Sequence, residues 1–69
     1  MMAKNSRHVA PSLDGRWSVR RTGAAKASKS FATQAAAVEY GTFAARKAKS
    51  DLYVHSSSGT VERRLSFRD

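Results

Sequence analysis

Hydrophobic and polar positions alternate with a period of two in three stretches of this chain and recur with helical spacing in one. Arg7-His8-Val9-Ala10-Pro11 and Arg16-Trp17-Ser18-Val19-Arg20-Arg21 are β-prone runs separated by Ser12-Leu13-Asp14-Gly15. An Asp-Gly pair between two such runs predicts a hairpin. In the second run Trp17 and Val19 fall on one face, and Arg16, Ser18 and Arg20 on the other, so one face packs and the other is wet. Residues 22–27 are small and polar with a glycine and read as a loop, and a short strand around residues 28–31 is expected to return beside the hairpin.

Thr33 directly precedes an Ala-rich stretch and is the expected N-cap of a helix running to about Lys49. Ala37, Val38, Gly41, Ala44, Ala45 and Ala48 recur at helical spacing and form the stripe that faces the sheet. Arg46, Lys47 and Lys49 fall in the predicted last turn, where they complement the negative end of the helix dipole. Tyr40 and Phe43 lie beside the stripe and make the apolar arc wider than one sheet contact needs. Leu52-Tyr53-Val54-His55 then reads as a strand with Leu52 and Val54 inward, followed by a Ser56-Ser57-Ser58-Gly59 turn. Thr60 to Leu65 alternates again, with Val61, Arg63 and Leu65 on one side and Thr60, Glu62 and Arg64 on the other, a second hairpin. The expectation is a small single α+β domain of ββ(β)αββ order over residues 7–67. A flexible basic tail, residues 1–6, precedes it, and the end at 68–69 frays unless Phe67 folds back onto the core.

Composition narrows this picture. At 69 residues only about 60% of the unfolded surface can be buried. Many of the apolar residues are alanines, so the anchors must be Trp17, Val19, Phe31, Val38, Leu52, Val54 and Leu65. Trp17, in phase with Val19, is read as core, and Tyr53, out of phase with Leu52 and Val54, is the better candidate for an exposed aromatic. The chain has no cysteine, which fits a reducing cytoplasm, and no apolar run long enough for a membrane span or a signal-peptide core.

Charge supplies the functional expectation. Thirteen Lys and Arg oppose five Asp and Glu, a net +8, which attracts polyanions and repels other basic proteins. Residues 1–30 carry +6 of it. Arg16, Arg20, Arg21, Lys26 and Lys29, assisted by Arg7, are therefore the candidate contacts to DNA or RNA, mostly through phosphates, and a two-stranded ribbon can enter a major groove. The alternative is a protein-interaction or homodimer module that uses Tyr40 and Phe43, with the charge serving solubility. His8 and His55 form a metal pair only if the two hairpins bring them together, and no Cys or acid at ligand spacing supports them. Ser56-Ser57-Ser58 is turn chemistry without a positioned base. No Gly-rich phosphate loop, carboxylate pair or dinucleotide fingerprint occurs, so the reading is non-enzymatic, with no cofactor, metal or small-molecule substrate.

Taken together, His8-Val9-x-Pro11, Asp14-Gly15-x-Trp17-x-Val19, Ser30-Phe31-x-Thr33 with Ala37-Val38-x-Tyr40, and Val54-His55 with Gly59 resemble a family of short bacterial proteins, the domain of unknown function 2188. The resemblance runs from His8 to about Phe67. It implies a compact α+β fold of strands around one helix, with no known enzymatic activity and no catalytic residues to carry over. The chain departs from the family pattern at Ala36, where a Glu usually completes a capping box, and at Phe43, a position more often charged. Over Arg16 to Tyr40 alone there is a weaker similarity to the arm-binding domains of phage-type integrases, whose three-stranded sheet enters the DNA major groove. The catalytic domain of those enzymes has no counterpart here.

Overall fold

The Asp14-Gly15 turn closes the first hairpin. Gly15 takes φ +83°, a conformation that side chains disfavour. Its N–H donates to the Ser12 carbonyl at 3.1 Å, and the Ser12 N–H donates to the Arg16 carbonyl at 2.7 Å. The computed structural model describes residues 6–23 and 29–67. They form strands β1 (Arg7–Pro11), β2 (Trp17–Arg21) and β3 (Lys29–Phe31), helix α1 (Gln34–Lys47), and strands β4 (Asp51–His55) and β5 (Val61–Ser66), the α+β fold expected. Ser6, assigned above to the tail, is fully buried, and its carbonyl accepts from the Thr22 N–H at 2.8 Å. The rest of the expected tail and the loop residue Lys26 lie outside the described residues.

Thr33 caps α1 from an extended conformation, its Oγ1 accepting from the Ala36 N–H at 3.2 Å. The helix ends at Lys47, two residues before the expected boundary, because the chain turns into the left-handed region at Lys49, φ +53°. There the Lys49 N–H donates to the Arg46 carbonyl and the Ser50 N–H to the Ala45 carbonyl, at 3.2 and 2.9 Å. This is the Schellman pattern, with lysine at the position glycine normally takes.

All five strands form one sheet in the order β3-β2-β1-β4-β5, with β1 and β4 parallel and the other pairs antiparallel. Helix α1 lies over β1, β2, β3 and β4, and it reaches β5 through Gln34 at its first turn, whose Nε2 donates to Glu62 Oε1 at 3.2 Å. The fully buried core is Val9, Val19, Leu52 and Val54 from the sheet with Ala37 and Ala45 from the helix. Burying each of the four branched side chains contributes about 1.5–3 kcal/mol, a thin core for one domain. Gly41 lets the helix lie close on the sheet: a Cβ there would sit 2.9 Å from Leu52 Cδ1 and 3.1 Å from Val9 Cγ2. Trp17, Phe31, Val38, Tyr40, Leu65 and Phe67 pack around this centre, and Phe67 is tied back by its N–H to the Ser50 carbonyl at 3.1 Å.

One alternation is interrupted. Val54 pairs with Arg63 but His55 pairs with Val61, so Glu62 is an extra residue in β5. The bulge moves Val61 off the face of Arg63 and Leu65, where period two had placed it, to the face of His55, where it is 54% exposed.

Candidate nucleic-acid interface

Directly paired residues on neighbouring strands lie side by side on the same face of a sheet. Val9, Val19, Leu52 and Val54 therefore mark the face under α1. Residues of opposite parity mark the other face, on which no described helix or strand packs. Four of them line up across four strands. Arg20 pairs with His8, His8 with Tyr53, and Tyr53 with Arg64. The middle of this row is aromatic, with the His8 and Tyr53 rings stacked at 5.1 Å and 16°. Its outer members are arginines, and the Arg64 guanidinium carbon lies 5.9 Å from the Tyr53 ring centre.

The His8 ring is held on edge by both nitrogens. Its Nδ1 meets His55 Nε2 at 3.2 Å and its Nε2 meets Thr22 Oγ1 at 3.0 Å, while His55 Nδ1 lies 3.0 Å from the Gly59 carbonyl oxygen. A carbonyl only accepts, so in the neutral pair His55 carries its proton on Nδ1 and accepts on Nε2. His8 then donates from Nδ1 and accepts from the Thr22 hydroxyl, and every donor has one acceptor. Burial, and secondly the neighbouring His55, lower the His8 pKa below its ordinary 6.5. His55 and Thr22 lie two residues beyond the partners of His8 on either side, so both bonds run obliquely across β1; one ring face stacks on Tyr53 of β4, which leaves the opposite face on the β2 side beside Arg20.

On that β2 side lies an open groove of about 580 Å³, lined by His8, Ala10, Pro11, Ser12, Leu13, Asp14, Ser18 and Arg20. Its floor is short side chains, and the Ser18 hydroxyl donates to the Ala10 carbonyl at 3.4 Å. At the far end of the row Arg64 donates to Asp51 at 3.3 Å. Asp51 is 3% exposed and Arg64 54%, so the guanidinium is anchored by a carboxylate beneath it while still meeting water.

The arginines and lysines proposed from sequence are divided by this geometry. Arg20 stands in the open row. Arg16, just before β2, is exposed and donates to the Ser30 carbonyl of β3 at 3.4 Å. Arg7 and Arg21 pair with each other on the helix side of the sheet. Lys29 is also on that side, its Nζ 5.6 Å from the Tyr40 ring centre and 5.9 Å from that of Phe31. Adjacent residues Arg20 and Arg21 point opposite ways because side chains in a strand alternate. Tyr40 and Phe43 are separated as well: Tyr40 packs on Phe31 at 5.5 Å, and Phe43 is 64% exposed with Lys47 Nζ 5.9 Å from its ring centre.

The two hairpins do bring His8 and His55 together, as a hydrogen-bonded pair, and among the described residues no group of three or more His, Asp or Glu could hold a metal ion. Sequence reasoning did not assemble His8, Tyr53 and Arg64 into one site, although His8 and Tyr53 are each out of phase with the buried valines and leucine beside them.

Residues 7–67 match the model of a family described as an uncharacterized protein conserved in bacteria, the domain of unknown function 2188, and the chain belongs to that family. No curated protein and no solved structure matches it. Among the described residues no helix is long and apolar enough to cross a membrane.

Proposed function

We propose that this protein is a small non-enzymatic module that contacts nucleic acid through the uncovered face of its sheet. The observation that carries this reading is the cross-strand row Arg20-His8-Tyr53-Arg64, two cations flanking stacked aromatic rings, on a chain of net charge +8. Arg16, Arg20 and Arg64 are the contacts to phosphate. Arg7, Arg21 and Lys29, on the helix side, add to the field that draws a polyanion in without touching it at this face. The cysteine-free composition fits a cytoplasmic setting.

Counterion release gives the test its magnitude. Three phosphate contacts correspond to a slope of log K against log salt of about −2 for a single strand and about −3 for a duplex. Between 50 and 200 mM salt, affinity then falls roughly twenty- to fortyfold. Fluorescence anisotropy with labelled mixed-sequence oligonucleotides measures this, and the Arg20→Ala and Arg64→Ala variants should each reduce the slope by about 0.7 to 0.9. No binding at low salt, or binding indifferent to salt, refutes the reading.

A second reading rests on Phe43, whose exposed ring on α1 suits a homodimer contact. Sedimentation of the wild type beside Phe43→Lys tests it, and a monomer in both removes it.

A further inference from the structure

The width of the sheet and the groove beside His8 together select among nucleic acids. Five strands about 4.8 Å apart span roughly 19 Å between the outer axes, whereas a B-form major groove is about 12 Å wide. β1 and β2, the ribbon that could have entered such a groove, are flanked by β4 and β3 and cannot be inserted without their neighbours. Arg20 and Arg64, three strand spacings apart, stand roughly 14 Å from each other at the backbone. A duplex can therefore touch this face only with its outer phosphates. A single strand can lie across it, bend to reach both arginines, and turn a base toward the protein.

We infer that the open face takes single-stranded nucleic acid, with one base seated in the groove beside His8 and the sugar-phosphate chain running between Arg20 and Arg64; this rests on the nucleic-acid reading above. The groove, about 580 Å³, falls in the size range of sites that hold a small organic ring system. His8 and Arg20, paired across β1 and β2, line one end of it, and the next pair toward the turn, Ala10 and Ser18, lines its floor. A base there lies at the His8 end of the row, in which His8 stacks on Tyr53 and the Arg64 guanidinium lies over the Tyr53 ring. The hydrogen bonds that His8 accepts from Thr22 and donates to His55 fix the ring plane before the base arrives, which limits the ordering cost of binding. Stacking of this kind tolerates any base, so affinity should depend weakly on sequence.

The test is anisotropy at one fixed low salt concentration with a mixed-sequence strand of about 12 nucleotides, its blunt duplex, and an abasic strand of the same length. The single strand is expected to bind the wild type at least about tenfold more tightly than either of the others. Ala10→Leu, which fills the groove floor without altering charge, should weaken the single strand about tenfold and leave the salt slope unchanged. His8→Phe, which keeps a ring face, should retain most of the affinity that His8→Ala loses. Equal or tighter binding of the duplex, or of the abasic strand, overturns the inference while leaving the nucleic-acid reading intact. Failure of all three probes to bind is instead the failure of that reading. The abasic comparison uses only the wild type and does not depend on any variant folding.

Discussion

At Gly41 the helix lies directly against Leu52 and Val9 of the sheet, and Gly41→Ala tests how tight that contact is. Two effects compete. Alanine in a helix interior is favoured over glycine by about 0.8–1 kcal/mol. Against that, the new methyl would lie 2.9 Å from Leu52 Cδ1 and 3.1 Å from Val9 Cγ2, both fully buried. Leucine can shift the end of its side chain, but β-branched Val9 is stiff at χ1, and overfilling a packed core costs about 1–3 kcal/mol. The steric term wins, and the net expectation is a loss of about 1 kcal/mol. For a domain of this size that lowers Tm by about 4–8 °C. Thermal or urea unfolding measures it directly. In a Leu52→Val background the atom nearest the methyl is gone, so Gly41→Ala should cost less there than in the wild type. A rise in Tm for Gly41→Ala alone, or the same cost in both backgrounds, would show that the contact is not the constraint argued here.

Three further outcomes follow from local geometry. Lys49→Gly should stabilise the protein by about 1 kcal/mol in urea unfolding, because Lys49 holds φ +53° at the helix end where glycine carries no Cβ penalty. Thr33→Ala should destabilise by about 1 kcal/mol in the same assay, since it removes the acceptor for the Ala36 N–H. His8 has a folded pKa below 6.5, so the unfolded chain binds more protons than the folded one. The contribution of neutral His8 is full above its unfolded pKa and is lost as pH falls below it; urea midpoints at about pH 7.5 and about pH 5.5 should differ more for the wild type than for His8→Gln.

The parts of the fold that rest on neighbours in sequence were legible from it. Asp14-Gly15 announced the first hairpin, Thr33 the helix start, Ser56 to Gly59 the second turn, and period-two alternation the inward set of Val19, Leu52 and Val54. Lys49 was misjudged because a helix can end on a left-handed lysine when Ser50 supplies the closing N–H, a signal weaker than glycine. Val61 changed face because a single bulge shifts phase for everything beyond it. The site was hidden for a different reason. His8 and Tyr53 meet only because β1 and β4 run parallel at the centre of the sheet, across a connection that includes two strands and the helix. Nothing local encodes that pairing, so the ribbon's charges were read as one surface when strand parity sends Arg20 and Arg21 to opposite sides.

Chemical-shift mapping during a titration with a short single strand at low salt tests the central claim most directly, because it reports where contact occurs as well as whether it does. The account predicts perturbations concentrated at His8, Ser18, Arg20, Tyr53 and Arg64, diminishing together as salt is raised. Perturbations confined to Arg7, Arg21 or the outer surface of the helix around Phe43 and Arg46, with the open row unmoved, would contradict it.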